Sequence, residues 1–214
     1  MTEIMRSVAS NWALVLAGML MVVTTTVMFY MITAFTPTFG KTVLMMSDTQ
    51  AFMVTLFVGI SNLFWLPVMG ALSDRIGRRP LLLTFTLLMI ATAWPVLHWM
   101  VGSPSFAHLV EAELWLSFLY ASYNGAMVVY LAEIMPAEVR AAGFSMAYSL
   151  ATALFGGFTP AVSSYLIHAT GDKAMPGVWL TFAAVCGLFG TLLIGRMVKQ
   201  YRARHGSTPV STSL

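Results

Sequence analysis

Charged side chains and cysteines are both scarce in this sequence. Its 214 residues include 11 Lys or Arg, 8 Asp or Glu and one cysteine, whereas 58% are hydrophobic and the mean hydropathy is +0.81. Because so few polar side chains cannot cover the surface of a soluble globule of this length, we expect a membrane protein with the lipid bilayer as its surroundings. A single cysteine, Cys186, excludes an internal disulfide framework and a cysteine-based metal centre.

The sequence also lacks the residue patterns of several functional classes. Its formal net charge is +3, but the basic residues lie between apolar runs, which argues against nucleic acid as a partner. It has no nucleophile–base pair, no metal-ligand spacing and no phosphate-binding loop. We therefore expect neither an enzyme nor a bound metal or other cofactor.

Long apolar runs dominate the chain instead. Crossing a hydrocarbon core takes about 20 helical residues, and six runs are long enough, near 11–34, 50–71, 80–101, 110–133, 142–168 and 177–197. Their continuous apolar character favours helices over barrel strands, which would alternate in polarity. The sequence thus predicts an all-α membrane protein, with an N-terminal segment at 1–10, a six-helix bundle at 11–197 and a tail at 198–214.

Two of these helices have a recognisable start. Ser47 and Gln50 have the spacing of a capping box, in which each side chain satisfies a free backbone amide at the start of the second helix. Pro176 is suited to the first turn of the sixth helix, where its missing N–H costs nothing.

The distribution of basic residues predicts the orientation of the bundle. Lys41 and Lys173 fall on one side, and the other nine Lys and Arg fall on the opposite side. Because flanking Lys and Arg are retained in the cytoplasm, we expect both termini and the loops at 73–79 and 135–140 to be cytoplasmic. The longest outer loop is then 35–49.

Hydroxyl and amide groups inside the spans are the candidate substrate contacts. Tyr120, Tyr123 and Asn124 lie on one face of the fourth span and could point together into a cavity. Further candidates in the other spans are Tyr30, Asn62, Tyr148, Thr152 and Thr159. Each could equally form a hydrogen bond between helices that only holds the bundle together. We expect one near-membrane carboxylate, Glu133, at the inner end of the fourth helix.

The fifth span contains an unusual backbone sequence. Gly156 and Gly157 are followed by Pro160, which has no N–H and leaves a carbonyl without its usual donor. Two interpretations remain open. The segment is either a kink with a close helix contact, or a break whose half-helix N-terminus faces an anionic substrate.

Charges are concentrated in the loop "GALSDRIGRRP" at 70–80. It predicts a tight helix–loop–helix turn in which Gly77 supplies the turn conformation and Asp74 pairs with an arginine. The stretch resembles the signature loop of the major facilitator superfamily, and the matching positions are Gly70, Leu72, Asp74, Arg75, Gly77, Arg78, Arg79 and Leu82. Glu133 and Arg140 in "EIMPAEVR" match a second motif of that family. The resemblance implies that Asp74, Arg75, Arg78, Arg79, Glu133 and Arg140 form a cytoplasmic charge network that stabilises one of two alternating-access states.

Longer stretches, such as "YNGAMVVYLAEIMPAEVRAAGFSMAYSLATALFGGFTPAVSSYLI", resemble the metabolite:proton symporter family and within it are closest to the citrate and tricarballylate carriers. Members have twelve spans in two six-helix halves, and this sequence resembles the second half, which is built from two inverted three-helix repeats. The resemblance implies proton-coupled transport of a small organic anion across a bacterial-type cell inner membrane. It also implies that an N-terminal six-helix half, or a second copy, completes the carrier. The alternatives are a transport-inactive truncated half that is only an assembly module, a transporting homodimer and, least favoured, a membrane enzyme.

Overall fold

The computed structural model of the chain describes residues 12–135, 137 and 140–205. The expected N-terminal segment 1–10 and residues 206–214 of the expected tail lie outside the described residues.

Within that described part, six helices are long and apolar enough to span a membrane. They are α1 Trp12–Val43, α2 Asp48–Ile76, α3 Arg78–Gly102, α4 Phe106–Ile134, α5 Arg140–Thr170 and α6 Pro176–His205. The all-helical fold predicted from the apolar runs is therefore confirmed, and the chain is a multi-pass membrane protein. The sixth helix ends later than predicted, because it continues through part of the expected tail to His205.

The predicted helix starts are also confirmed. Ser47 precedes α2, its hydroxyl accepts a hydrogen bond from the backbone N–H of Gln50, and the Gln50 side chain accepts one from the backbone N–H of Ser47. Pro176 is the first residue of α6. Gly77, with a φ of 93°, is the single residue between α2 and α3, and its positive φ favours glycine.

The expected outer loop at 35–49 is wrong in length. Helical structure continues from α1 to Val43, so only residues 44–47 connect α1 to α2. A proline such as Pro37 collides with the carbonyl four residues earlier in a regular α-helix. Here π-helical turns at Met31–Phe35 and Phe39–Val43 flank that proline, and the Thr36 N–H bonds to the carbonyl of Met31, five residues earlier. The wider turns keep the helix continuous where sequence reasoning predicted that it would end.

The helices are arranged in a central row and a back layer. Within the row, α2 packs on α4, α4 on α1, and α1 on α5; behind it, α3 packs on α4, α6 packs on α1, and α3 and α6 pack on each other. Exchanging helices 1, 2 and 3 for helices 4, 5 and 6 leaves this pattern of contacts unchanged. Because the exchanged helices are three positions apart in the chain and successive spans alternate in direction, each pair runs in opposite directions across the membrane, as expected for two inverted three-helix repeats.

The helices α1 and α6 cross at close range. Thr24 donates a hydrogen bond to the carbonyl of Ala183 at 2.7 Å. Gly187 and Gly190 let the two backbones approach, since a Cβ on Gly190 would lie 2.7 Å from the Ala17 carbonyl oxygen and 2.9 Å from the Met21 nitrogen. Small residues play this part in membrane helix packing generally.

The two edge helices of the row expose most of their apolar surface. Leu63 of α2 is 78% exposed, and Phe52, Leu56 and Phe64 on the same helix are also exposed. Tyr165 lies on the exposed surface of α5. By contrast, the middle of α1 is enclosed by its neighbours. Such apolar exposure requires lipid or another helical body around the edges of the row.

We expect Gly190→Ala to lower the unfolding free energy of the chain by roughly 1–3 kcal/mol, because its methyl group meets fixed backbone atoms of α1. Thermal unfolding of the purified chain in detergent measures the change. Gly59→Ala is the matched control, since a Cβ there meets nothing within 4 Å. Equal melting temperatures for the two variants would contradict close packing at Gly190.

Candidate functional site

Three tyrosines from different helices of the central row form what we call the tyrosine cluster: Tyr30 of α1, Tyr120 of α4 and Tyr148 of α5. The Tyr148 side chain lies near those of Tyr30 and Tyr120. Tyr120 lies midway along α4 and is 7% exposed, and its ring lies 6.0 Å from that of Phe29. Tyr148 is half-buried and stacks on Phe144. The cluster therefore places three hydroxyl groups near the middle of the row.

Asn124 extends this cluster by one turn of α4. Its Nδ2 donates to the Tyr120 hydroxyl at 3.4 Å, whereas its Oδ1 is buried and has no partner among the described residues. The next residue, Gly125, packs directly on α2, and a Cβ there would lie 3.0 Å from the Gly70 nitrogen. A buried amide oxygen without a donor is costly, so this group is free to receive a hydrogen bond from a ligand.

The expectation that Tyr123 shares a cavity with Tyr120 and Asn124 is wrong in this structure. Tyr123 is completely buried, and its hydroxyl donates to the carbonyl of Met21 at 3.1 Å. It lies toward α6, where a Cβ on Gly187 would come within 2.9 Å of that hydroxyl. One residue along a helix turns the side chain by about 100°, so Asn124 points elsewhere while Tyr123 packs into the back layer.

Asn62 and Thr159 have partners within the bundle. The Ser117 hydroxyl of α4 lies 2.9 Å from Asn62 Oδ1 and donates to it, so Asn62 faces a partner helix as the cost of an amide in hydrocarbon predicts. Thr159 donates to the carbonyl of Phe155 at 3.0 Å and accepts from Trp179 Nε1 at 3.2 Å. Both residues join helices in this structure.

The break in α5 is a short π-helical segment at Thr152–Gly156, after which the α-helix resumes at Thr159 with Pro160 in its first turn. Gly156 lies against α1, where a Cβ would come within 2.9 Å of Thr26 Cβ and 3.1 Å of Tyr30 Cδ2. Gly157 donates its N–H to the Thr152 carbonyl at 2.8 Å. The Thr152 hydroxyl is buried without a partner in the described part of the chain. The segment is thus a helix irregularity with a close glycine contact, directly beside the tyrosine cluster.

A second site, the Arg78 cluster, joins Asp74, Arg78 and Glu133 where α2, α3 and α4 meet. Arg78 donates from Nε and Nη2 to the two Glu133 oxygens, each at 2.7 Å, and from Nη1 to Asp74 Oδ1 at 2.8 Å. Its Nη1 also donates to Ser73 Oγ at 3.1 Å. The Arg78 side chain is 17% exposed, so the paired geometry is partly shielded from water. One guanidinium therefore fastens three helices.

The other arginines expected in this network lie outside it. The Arg79 guanidinium packs against Gly195 of α6, and Arg140 donates to the carbonyl of Met135 at 3.4 Å rather than to Glu133. Arg75 is exposed and makes no ion pair among the described residues. The pairing of Asp74 with an arginine is confirmed, but the six-residue network is reduced to three members.

Glu113 was missed by sequence reasoning, although it lies in the predicted fourth span. It is 3% exposed, and its Oε2 has no hydrogen-bond partner among the described residues. The side chain of Thr36, beside the π-helical turn of α1, lies close to it. The available signal was a carboxylate in an apolar run, which is expensive in a membrane and by default marks function.

Metal binding receives no support from the described residues, because no group of three or more His, Cys, Asp or Glu is placed to hold an ion.

The chain matches the family model of the Major Facilitator Superfamily over residues 2–154. The chain belongs to this superfamily. It is 58% identical over 196 residues to a citrate-proton symporter of Klebsiella pneumoniae, covering 92% of this chain and 44% of the relative. A citrate-proton symporter of Salmonella typhi is 51% identical over 94% of the chain and 46% of the relative.

A proline/betaine transporter of Salmonella typhimurium is more distant, with 27% identity over 95% of the chain and 40% of the relative. The chain spans less than half the length of these curated relatives. No solved structure gives a significant match.

The Arg78 cluster leads to a testable coupling energy. In a double-mutant cycle of Arg78→Gln and Glu133→Gln, we expect a coupling energy of about 1 kcal/mol. This value is at the upper end of the range for exposed ion pairs, because the contact between Arg78 and Glu133 is bidentate. Thermal or denaturant unfolding in detergent measures it, and added salt should weaken it. The control pairs Arg75→Gln with Glu133→Gln and should give no coupling. Equal values for both cycles would contradict the observed geometry.

Proposed function

We propose that this chain forms one six-helix half of a proton-coupled carrier for citrate or a similar di- or tricarboxylate. The observation that carries the proposal is the 58% identity with a citrate-proton symporter across 92% of the chain. The carrier would lie in a cell inner membrane with both termini cytoplasmic, since nine of the eleven Lys and Arg fall on one side of the spans.

The tyrosine cluster and Asn124 are the proposed substrate contacts. Their hydroxyl and amide groups can donate hydrogen bonds to carboxylates and to a substrate hydroxyl without adding charge. Thr152 has a free hydroxyl at the same level of α5. Tyr123, Asn62 and Thr159 support this site indirectly, because their polar groups are used in joining helices.

A second helical body is needed to neutralise the substrate. Among the described residues, Lys and Arg lie at or near the ends of the six helices, so the tyrosine cluster has no cationic neighbour at its own depth. A tricarboxylate that bound only to neutral hydroxyls would lose its hydration shell, and no positive charge would offset the free-energy cost of that loss. We infer that an N-terminal half, or a second copy, provides the positive charge across the exposed face of the row.

The Arg78 cluster is proposed to hold the cytoplasmic ends of α2, α3 and α4 together when the inner side of the carrier is closed. Opening that side separates these ends and breaks the contacts of Arg78 with Glu133. The π-helical segment at Thr152–Gly156, with Gly157 and Pro160 after it, is the proposed flexible joint of α5, because such turns lack the regular hydrogen-bond ladder. Rocking of the two halves around the tyrosine cluster would then alternate access to the substrate.

Reconstitution of the chain in liposomes tests this function. When a complementary six-helix half from the Klebsiella pneumoniae relative is present, we expect the liposomes to take up labelled citrate. Protons should enter with it and acidify the liposome interior. The chain alone should bind or move little citrate. Uptake by the chain alone, at the rate of the assembled carrier, would instead establish a homodimer. No uptake by the assembled pair would leave an inactive assembly module as the better description.

We expect Tyr120→Phe and Asn124→Ala to raise the citrate KM of the assembled carrier about ten- to a hundredfold, the effect of losing one hydrogen bond to a charged group. Melting temperatures should change little. Tyr123→Phe is the matched control, and it should lower the melting temperature through loss of the Met21 contact while leaving KM unchanged.

If Tyr123→Phe raised the citrate KM and Tyr120→Phe did not, the tyrosine cluster would not be the substrate site. The substrate would then bind at the face between α4 and α6.

A further inference from the structure

Glu113 is a buried titratable residue that belongs neither to the proposed substrate site nor to the Arg78 cluster. Counting from Phe106, it lies about 10 Å along α4 at a rise of 1.5 Å per residue. Its side chain is 3% exposed. An ionised carboxylate at such a position must be paired with a cation, or else it takes up a proton and becomes neutral.

No cation pairs with Glu113 in the described part of the chain. The ion pairs there join Lys41 to Asp48, and Arg78 to Asp74 and to Glu133. On α3, His98 stacks on Trp94. On α4 itself, the His108 ring lies 4.6 Å from that of Trp99 and is tilted against it, and Glu111 is exposed. Tyr30 of α1 belongs to the tyrosine cluster, Arg75 lies at the far end of α2, and Arg79 lies at the far end of the back-layer helix α3.

The hydrogen bond of Thr36 to Met31 limits what Thr36 can offer to Glu113. The Thr36 hydroxyl donates its single hydrogen to the Met31 carbonyl at 3.0 Å. The Thr36 side chain also lies beside the Glu113 carboxyl. A hydroxyl whose hydrogen is already used can only accept, so it has no hydrogen to offer an ionised Glu113 but can accept one from the protonated carboxyl.

Thr36 also links the protonation state of Glu113 to the π-helical turn of α1. The Met31 carbonyl accepts both the Thr36 hydroxyl and the Thr36 backbone N–H, which closes the π-helical turn at Met31–Phe35. If Glu113 lost its proton in this packed position, the carboxylate could only accept, and it would compete with the Met31 carbonyl for the hydrogen of the Thr36 hydroxyl. The π-helical turn would then keep only its backbone hydrogen bond.

Glu113 also begins a polar stripe that leads to the proposed substrate site. Glu113, Ser117, Tyr120 and Asn124 follow one another at intervals of three or four residues, so they lie along one face of α4. Ser117 contacts Ser61 and Asn62 of α2, and Asn124 donates to Tyr120.

We propose that Glu113 is the proton-carrying residue of this half: its carboxyl holds a proton while packed against Thr36, and it releases that proton to water when α4 and the π-helical turn of α1 separate. The inference rests on the proposed proton-coupled function. The release converts one carboxyl to a carboxylate and one hydrated proton, and no other reactant is needed.

Carbodiimide labelling of the unmodified chain in liposomes tests the protonation state without requiring transport. Dicyclohexylcarbodiimide enters the bilayer and reacts with protonated carboxyls, and mass spectrometry of the peptide locates the adduct. We expect Glu113 to be labelled at neutral pH, with labelling falling as the pH rises, whereas the exposed Glu111 stays unlabelled. Labelling of neither residue at neutral pH, or of both equally, would overturn the proposal.

Transport by the assembled carrier tests the role of that proton. Glu113→Gln mimics the protonated carboxyl, so we expect at least a tenfold loss of citrate accumulation driven by a pH gradient, with citrate counterflow retained. Glu111→Gln should retain both activities. Accumulation by Glu113→Gln at the unmodified level would overturn the proposal. If the unmodified carrier itself shows no proton-driven uptake, the proposed function fails, and the labelling result still decides whether Glu113 is protonated.

Discussion

The organisation of this protein depends on the inability of hydrocarbon to solvate a polar group. Most hydroxyls inside the spans meet that constraint locally, as when Thr86 donates to Leu82 and Thr191 to Gly187, each a carbonyl one turn earlier on the same helix. Others join two helices, as Thr24 joins α1 to α6. Against this background, the few buried polar atoms without partners are conspicuous, and those of Asn124, Thr152 and Glu113 are the ones that our proposals use.

The same constraint explains the position of the central row. The back layer of α3 and α6 covers one side of α1 and α4, and the edge helices α2 and α5 cover only their flanks. On the remaining side, which carries the tyrosine cluster, no helix of the described part of the chain covers the row. A carrier that alternates its access needs such a face, because a fixed site between two bodies can be opened by rocking one against the other. In the proposed carrier the Arg78 cluster is the contact that would break, since it joins three helices at one end through a single side chain.

Much of the fold could be predicted from the sequence, because span number depends on hydropathy and helix starts depend on local signals such as Ser47 and Pro176. The pairing of Asp74 with an arginine followed from their spacing in one short loop. Features that depend on contacts between distant segments could not be predicted. The continuation of α1 past Pro37 requires π-helical turns, and the direction of Tyr123 depends on its contact with Met21. Arg140 likewise bonds to Met135 instead of Glu133, which the E-to-R spacing does not reveal.

Glu113 shows a different limit, since it was visible in the sequence and was overlooked beside the motif residues at the helix ends. Its importance becomes clear only when Thr36 and the turn at Met31–Phe35 are seen beside it.

The central claim is that citrate and protons move together through the assembled carrier, and it is tested most directly by recording the external pH as citrate is added. Liposomes containing this chain and its complementary half would be suspended in lightly buffered medium, with valinomycin and potassium holding the membrane potential at zero. The external medium should become more alkaline as citrate enters, with a fixed number of protons per citrate. Citrate entry at the same rate without any change in external pH would contradict the claim.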